Sequence, residues 1–296
     1  MQKLIVESKY NNKKLSSFLY SHFDGLTSNT FYKALRKKDI RINEIKTNED
    51  KIIHEFDTIT IFIPDNLLFE NTTIKKIYED NNILVINKPV NIEVISSTDK
   101  KSISSILEKQ YSYIKPCHRL DRNTTGLVLF AKNSESLEIL LEKFRTKEIK
   151  KNYYAVVIGR MPKKEELLKA YLFKDKKKSL VYISDSPKKG YQEILTKYSV
   201  ISENKTNNTS ILNIELITGK THQIRAHLAH IGHPILGDGK YGINKINKEF
   251  KYKYQLLENY KLEFSFSTSA GNLQYLNNKV IKIPDNDSFI KNFNNF

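Results

Sequence analysis

The sequence predicts an α+β protein in which strands are frequent and helices are occasional. Apolar residues alternate or run continuously in short segments such as 57–63, 83–86 and 127–131, as they do in strands. Apolar residues at helical spacing occur in fewer segments, among them 14–23 and 134–144. In the second of these, Ser134 is the expected N-cap, and Leu137, Leu140, Leu141 and Phe144 form one apolar stripe. Residues 274–296 are expected to be a polar tail. With 296 residues, the chain is long enough for one large domain or two, with a buried core.

Net charge is the clearest feature of the composition. Lysine and arginine together number 49 against 33 acidic residues, which gives a formal net charge of +16 and a pI of about 9.5. A field of this sign attracts polyanions, so nucleic acid is the leading predicted partner and an acidic membrane surface is the second. The chain is also rich in lysine, asparagine and isoleucine, and this compositional bias accounts for part of the lysine excess.

Several classes of protein are disfavoured by what the sequence lacks. A single cysteine, Cys117, rules out an intrachain disulfide framework and any site built from several thiolates. No apolar run approaches the ~18 residues of a membrane span, and residues 1–7 lack the apolar core of a signal peptide. We therefore expect a cytoplasmic protein without a membrane partner.

Residues 1–63 are predicted to form a small separate module, joined by a linker over 64–73 to a second domain over 74–296. The predicted elements of the module are a helix over 14–23, a second helix capped by Ser28, and short strands over 40–43 and 57–63. Basic residues lie along the second helix, at its end and in the strand after it: Lys33, Arg36, Lys37, Lys38 and Arg41. From the residues alone, a solvated helix face and an RNA contact explain this cluster about equally well.

The stretch over 118–132 places Asp121 between two arginines, Arg119 and Arg122, just ahead of the apolar run 127–131. Residues 124–126 predict a turn, because glycine permits positive φ and threonine hydroxyls bond to local backbone. Asp121 is therefore expected on a loop at the end of a strand, where scaffolds often carry chemistry. Local spacing alone favours a simpler interpretation, in which Asp121 caps the turn and pairs with its neighbours.

Two later stretches add polar residues to predicted elements. Residues 151–159 form a predicted strand with Tyr153 on one face, and a core tyrosine is the ordinary interpretation of such a residue. Residues 216–238 contain a turn, a helix and a stop at Gly232. His227 and His230 have the spacing of a metal pair, but no HExxH pattern or carboxylate partner accompanies them, so no metal site is predicted.

Together these stretches resemble the RNA pseudouridine synthases that modify ribosomal and transfer RNA through a single aspartate. Residues 118–126 are similar to the signature HRLDxxTSG, with Thr125 in place of serine. Residues 151–159 are similar to KxYxAxVxG, and 218–238 to the motif that contains THQIR. The usual glycine and histidine after Lys-Pro are replaced by Asn91 and Ile95, and a histidine expected after Gln255 is missing.

The resemblance implies a fold, a reaction and site residues. The fold is α+β, with a mixed, largely antiparallel sheet in the catalytic domain and a small α+β RNA-binding module like that of ribosomal small-subunit protein four. The reaction isomerises specific uridines to pseudouridine, with large-subunit ribosomal RNA as the expected substrate and no cofactor. Asp121 is the implied catalytic carboxylate, Tyr153 faces the target base and accepts the proton from uracil C5, and Arg225 pairs with Asp121.

The two arginines beside Asp121 are expected to contact RNA, and one alternative function remains open. Arg119 is expected either to stack where the target base leaves the RNA or to contact a phosphate, and Arg122 to bind RNA beside it. Whether Asp121 attacks the sugar or abstracts a sugar proton stays open, and the protein is expected to act as a monomer. The alternative is a non-catalytic RNA-binding or ribosome-assembly protein, which would need no carboxylate facing a polyanion.

Overall fold

The structure, a computed structural model, describes residues 1–23, 25–68, 74–96, 102–175 and 177–292. The chain divides into two compact units, Met1–Thr73 and Ile74–Phe296. Residues 69–73 of the predicted linker lie outside the described residues. None of the helices in the described ranges has the length and apolar character needed to cross a bilayer.

The described part of the first unit contains two longer helices, a short third helix and a small sheet. Its elements are β1 (Gln2–Ile5), β2 (Lys13–Lys14), α1 (Leu15–His22), α2 (Ser28–Lys37), β3 (Ile40–Ile42), β4 (Ile45–Thr47), β5 (Ile52–Ile53), β6 (Thr58–Ile61) and α3 (Asp65–Leu68). The antiparallel sheet has the order β1-β6-β3-β4, and β2 pairs with β5. Phe18 and Phe31, one from each longer helix, are fully buried in its core. The N-cap of α2 is Thr27 and not Ser28, because the Thr27 hydroxyl accepts a hydrogen bond from the Thr30 N–H at 3.1 Å.

The second unit is built on one large sheet. Its elements are β7 (Lys75–Glu79), β8 (Ile83–Lys88), α4 (Ile103–Leu107), β9 (Lys115–Pro116), β10 (Thr125–Ala131), α5 (Ser134–Arg145), β11 (Ile149–Ile158), β12 (Glu165–Asp175), β13 (Leu180–Ser184), β14 (Gln192–Asn204), β15 (Thr209–Leu216), α6 (Gln223–His230), α7 (Asn244–Glu249), β16 (Leu257–Phe264) and β17 (Val280–Lys282). The main path of the sheet is β13-β12-β14-β15-β11-β16-β10-β8-β7, with β9 beside β10 and β17 beside β16. Among the pairings in the described ranges, only β10 with β16 is parallel, so the predicted mixed, largely antiparallel sheet is confirmed.

Three local expectations for this unit were wrong. Helix α5 is capped by the Asn133 side chain, which accepts from the Ser136 N–H at 2.8 Å, and not by Ser134. Leu141, expected in the apolar stripe of α5, is 47% exposed, whereas Leu140 is fully buried. The segment from 274, expected to be a polar tail, contributes β17 to the sheet through its pairing with β16.

The turn of the central stretch lies earlier than predicted. The Thr124 N–H donates to the Asp121 carbonyl at 3.0 Å, so the turn spans 121–124, and Gly126 already belongs to β10. Gly126 has φ of +114°, and a Cβ at this position would overlap the backbone of Asn259 on β16. Glycine is therefore required by the close approach of the two parallel strands. Asp121 consequently sits immediately before the point where β10 joins the centre of the sheet.

Candidate active site

Three elements of the second unit bring polar side chains to one cavity. Asp121 comes from the loop before β10, Tyr153 from β11 and Arg225 from α6. Because β16 alone lies between β10 and β11, the loop and the strand are close neighbours in the sheet. All three residues line a cavity of about 250 Å³, together with Arg119 and His222 among others. These are three of the residues singled out by the sequence, so the fold brings distant motifs together.

Arg225 links two carboxylates. Its Nη1 donates to Asp121 Oδ2 at 2.8 Å, while Nε and Nη2 donate to the two oxygens of Asp238 at 2.7 and 2.9 Å. The side chain of Asp238 is fully buried, whereas that of Asp121 is 22% exposed. Burial opposes the charge of Arg225, but its hydrogen bonds to Asp238 and Asp121 outweigh this effect and raise its pKa. The guanidinium is thus fixed as a cation beside the partly accessible carboxylate.

Both carboxylate oxygens of Asp238 accept hydrogen bonds. Its Oδ1 also accepts from the backbone N–H groups of Lys240 and Tyr241 at 2.8 and 3.1 Å. Burial would raise the pKa of Asp238, but Arg225 and these donors lower it below its ordinary value. Asp238 therefore remains an anion that orients Arg225, while Asp121 is the carboxylate left facing the cavity.

His222 supplies a neutral neighbour to Asp121. Its Nε2 lies 4.0 Å from Asp121 Oδ1, and its Nδ1 lies 2.8 Å from the Tyr241 hydroxyl. That hydroxyl accepts from the Val181 N–H at 3.0 Å, which leaves its own hydrogen for His222 Nδ1 and favours the proton on Nε2. Burial lowers the pKa of His222 to about 4, so the imidazole is uncharged at neutral pH. The carboxylate therefore faces one cation and one neutral N–H.

Lys88 fixes the loop that carries Asp121. It is fully buried, and its Nζ donates to the carbonyl oxygens of Pro89, Ile92 and Arg122 at 2.7, 2.9 and 3.0 Å. Burial lowers the pKa of Lys88 to about 7, and the charge of Asp121 acts in the opposite direction. Three acceptors use all three ammonium hydrogens, so Lys88 joins the loop after β8 to the loop before β10.

Tyr153 lies in the wall of the cavity and is only 4% exposed. Burial raises the pKa of its hydroxyl, and the negative charge of Asp121 raises it further. The phenol is therefore neutral at physiological pH and is a poor acceptor for a proton. Its ring can stack on a base, but the expected removal of the proton from uracil C5 is disfavoured.

The two arginines beside Asp121 differ in position. Arg119 is exposed and lines the cavity. Arg122 is exposed as well, but its Nε donates to the Asn91 carbonyl at 3.2 Å, outside the residues that line the cavity. Asn91 has φ of +65°, which asparagine tolerates better than most residues. Arg122 thus holds the loop that Lys88 also holds.

The basic residues of the first unit are accessible, with one exception. Lys33, Arg36, Lys37 and Lys38 are exposed on α2 and at its end. Arg41 is only half-exposed, because its guanidinium lies 4.8 Å from the Phe62 ring centre and 3.8 Å from Glu44. Four of the five predicted RNA contacts are therefore free to meet a phosphate backbone.

The paired histidines of α6 have separate partners. His227 Nδ1 lies 3.1 Å from the Thr196 hydroxyl, and His230 Nε2 lies 2.8 Å from Asp185. In the described ranges, no three or more His, Cys, Asp or Glu side chains are grouped as metal ligands would be.

Sequence reasoning missed three residues of this site: Lys88, His222 and Asp238. Each lies inside a stretch that the sequence singled out, since Lys88 precedes Pro89 and Asp238 ends the third motif. Their types carry a signal, because Lys and Asp are rarely buried unless they are paired. What the sequence does not give is which partners they find, because those partners are distant along the chain.

Comparison with known proteins agrees with this geometry. A profile of the family described as RNA pseudouridylate synthase matches residues 82–230. A protein of Mycoplasma capricolum named uncharacterized RNA pseudouridine synthase is 33% identical, over 96% of this chain and 98% of its own. Ribosomal large subunit pseudouridine synthase C of Buchnera aphidicola is 33% identical, over 86% of this chain and 84% of its own. The solved structure of human RNA pseudouridylate synthase domain containing 1 has a TM-score of 0.59 and 20% identity, covers 72% of this chain and 84% of its own, and supports the fold.

Proposed function

The chain belongs to the RNA pseudouridylate synthase family, and from that premise we propose that Asp121 is its catalytic carboxylate and large-subunit ribosomal RNA its substrate. The protein is an isomerase that converts uridine to pseudouridine in RNA. The reaction detaches uracil from C1′ of the ribose, turns the base, and reattaches it through C5. Atoms and oxidation state are unchanged overall, so the site must stabilise charge and hold the detached base.

The observation that supports the role of Asp121 is its pairing with Arg225 inside the cavity. Breaking the glycosidic bond builds positive charge on the sugar, and an anionic oxygen beside C1′ stabilises it. A carboxylate removed from water stays ionised only with a cation at contact distance, and Arg225 is 2.8 Å away. Both an attack on C1′ and the abstraction of a sugar proton begin from the same ionised Asp121.

Other residues of the cavity are proposed to hold the RNA and the base. The target uridine must leave its stack, at a cost of a few kcal/mol, before its C1′ can reach Asp121. The ring of Tyr153 would then stack on the uracil, and the exposed Arg119 would occupy the vacated space or bind a phosphate. The neutral N–H of His222 would orient Asp121 without cancelling its charge.

The first unit is proposed to bind RNA through its basic residues, in a monomeric cytoplasmic protein. The exposed side chains of Lys33, Arg36, Lys37 and Lys38 support this role, and so does the net charge of +16. Relatives named ribosomal large subunit pseudouridine synthase C support large-subunit ribosomal RNA over transfer RNA.

One substitution tests the catalytic assignment. Asp121→Asn keeps the shape of the side chain but removes its charge, so we expect loss of pseudouridine formation with RNA affinity within a few-fold of wild type. The measurement is mapping of pseudouridine in a transcript of large-subunit ribosomal RNA. Asp185→Asn is the matched control, because Asp185 is 84% exposed and pairs only with His230 among the described residues. Comparable turnover by Asp121→Asn would refute the assignment, and modification of transfer RNA alone would refute only the proposed substrate.

A further inference from the structure

Lys151 lines the same cavity as the residues discussed above, but none of the roles proposed so far involves it. It lies on β11 two positions before Tyr153, and both residues line the cavity. The irregularity in the pairing of β11 with β16 falls between Asn152 and Tyr153, where the extra residue is Tyr260 of β16. Alternation along β11 is therefore intact, and Lys151 and Tyr153 share a face.

Lys151 is a cation without a counterion. Its Nζ lies 4.9 Å from the centre of the Phe144 ring, and among the described residues no hydrogen bond or ion pair to it is found. Its neighbour Lys150 differs, because that side chain lies 3.8 Å from Glu215 and is 51% exposed. A lysine that is mostly removed from water and unpaired is rare in proteins, since burial of an unpaired charge is costly.

The groups around Lys151 do not supply the missing anion. His118 contacts the same Phe144 ring at 5.0 Å between centroids, and burial together with the charge of Lys151 lowers its pKa to about 3, so it is neutral. A Cβ added to Gly219 would lie 3.7 Å from Lys151 Nζ, so this residue borders the ammonium without offering a carboxylate. The pKa of Lys151 is lowered to about 8 by burial, and no carboxylate raises it. Besides Lys151, the titratable groups that line the cavity are His118, Arg119, Asp121, Tyr153, Lys220, His222 and Arg225. Asp121 is the carboxylate of this set, and it is hydrogen-bonded to Arg225.

We propose that Lys151 binds a backbone phosphate of the RNA beside the target uridine, so that the cavity holds a phosphate subsite as well as the base. The inference rests on the proposed function, because it takes RNA as the ligand. A phosphate brings the full negative charge that a desolvated ammonium lacks, and their hydrogen bond is charge-assisted. A carbonyl oxygen of uracil would accept a hydrogen bond but would leave the charge uncompensated. The stack of Lys151 on Phe144 holds the side chain in place before RNA arrives.

The test compares Lys151→Met with Lys150→Met, which removes the same charge from the adjacent exposed position. The probe is a short oligouridylate, whose binding to the full chain is measured as a function of salt. Loss of one charged hydrogen bond should weaken binding about 10- to 100-fold, and loss of one phosphate contact should reduce the slope of log affinity against log salt by ~0.7. Lys150→Met should change the affinity by less than about 3-fold. Lys151→Arg should retain most of the affinity, since arginine also binds phosphate.

The Tm without RNA and the pH dependence of RNA affinity distinguish phosphate binding by Lys151 from a purely structural role. Lys151→Met keeps the apolar stem but removes an uncompensated charge, so its Tm without RNA should be no lower than that of wild type. The wild-type affinity should fall as the pH rises through about 8, because RNA binds the ammonium form, whereas Lys151→Met should lack this decline. A lower Tm with an unchanged salt slope would show that Lys151 only packs. Weaker binding with an unchanged slope would point to the uracil carbonyl and overturn the phosphate subsite.

The experiments distinguish failure of the proposed function from failure of the proposed phosphate subsite. If the wild-type protein does not modify large-subunit ribosomal RNA, the substrate proposal fails, but the oligouridylate measurement still decides the role of Lys151. If wild-type turnover is normal and Lys151→Met has unchanged affinity and slope, only the phosphate subsite is refuted. An unchanged affinity with a large fall in kcat would also refute it, because Lys151 would then act in the chemistry.

Discussion

Asp238 accepts two hydrogen bonds from Arg225, at 2.7 and 2.9 Å, and this leaves Nη1 of the same guanidinium for Asp121 at 2.8 Å. The two carboxylates have different surroundings. Asp238 is fully buried and accepts four hydrogen bonds, whereas Asp121 keeps one face towards the cavity. Asp238 therefore acts on Asp121 through Arg225, as a positioning residue.

Asp238→Asn should lower both stability and kcat. The amide cannot accept both hydrogen bonds of the guanidinium, and breaking a buried pair typically costs about 3–5 kcal/mol. We expect a lower Tm and a fall in kcat of at least 10-fold, with KM for RNA changed by less than 3-fold, all order-of-magnitude figures for a positioning effect. The measurements are thermal unfolding and steady-state pseudouridine formation.

The exposed Asp185 again offers the control, because Asp185→Asn makes the same chemical change where 84% of the side chain is exposed. A normal kcat in Asp238→Asn, despite a lower Tm, would mean that Asp121 does not depend on the orientation of Arg225.

The sequence predicted the sheet and the helices that carry the site, because alternation and helical spacing are local signals. Strand β10 and helix α6 were both located in this way, although Gly126 was assigned to a turn. The true reason for Gly126 is the backbone of Asn259, which is 133 residues away and invisible to local reasoning. The strand in the segment from 274 was missed for the same reason, because β17 forms only by pairing with β16, which is a contact between separate segments of the chain.

The candidate site was predicted only as far as the resemblance reached. Asp121, Tyr153 and Arg225 came from motif positions, and the fold places them around one cavity. Spacing cannot reveal that Lys88 holds three carbonyls, or that Lys151 has no counterion. Such facts depend on the burial and the partners of a side chain, which are set by the whole fold.

Tyr153→Phe should keep most of the activity, whereas Tyr153→Leu should lose it. Burial and the charge of Asp121 raise the pKa of the phenol, so its hydroxyl is not available as a base at neutral pH. Stacking survives in phenylalanine but not in leucine, and base stacking is worth about 1–3 kcal/mol, or roughly 5- to 150-fold in kcat/KM. The measurement is kcat/KM for pseudouridine formation.

Tyr154→Phe and Tyr154→Leu are the matched controls, because Tyr154 lies on the opposite face of β11 and stacks on Tyr260 at 3.6 Å. If Tyr153→Phe were as inactive as Tyr153→Leu, the hydroxyl would be essential and the neutral stacking role would be insufficient.

Neutralising the exposed basic residues of α2 should weaken RNA binding in a salt-dependent way. The triple substitution of Lys33, Arg36 and Lys37 by glutamine removes up to three phosphate contacts. Each lost contact should reduce the slope of log affinity against log salt by about 0.7 to 0.9. Kd for RNA is measured over a range of salt concentrations.

The control replaces three other exposed lysines of the same unit, Lys3, Lys14 and Lys46, which changes the net charge equally. Equal effects of the two triple variants would mean that only the overall charge of the unit matters, and that α2 is a solvated face.

Arg225→Met should inactivate the enzyme and destabilise it, because two carboxylates then share a site without their cation. The loss of one partner of a buried pair typically costs about 3–5 kcal/mol. Without Arg225, burial would raise the pKa of Asp238, so the variant would take up a proton that wild type does not bind. A native state that binds more protons than the unfolded state is stabilised as the pH falls. The Tm difference from wild type should therefore narrow as the pH is lowered from neutral towards ~5.

Arg225→Lys separates charge from geometry, because an ammonium is a cation but cannot reproduce three donors in a plane. We expect it to recover part of the stability and little of the activity. The double variant Arg225→Met with Asp121→Asn should lose less stability than the two single losses added, since contacting residues are coupled by about 0.5–3 kcal/mol. Unfolding free energies of the four proteins in the cycle give this coupling directly. Additive losses together with near-normal turnover in Arg225→Met would show that Asp121 takes its positive charge from elsewhere, and the exposed Arg119 at the same cavity would be the next candidate.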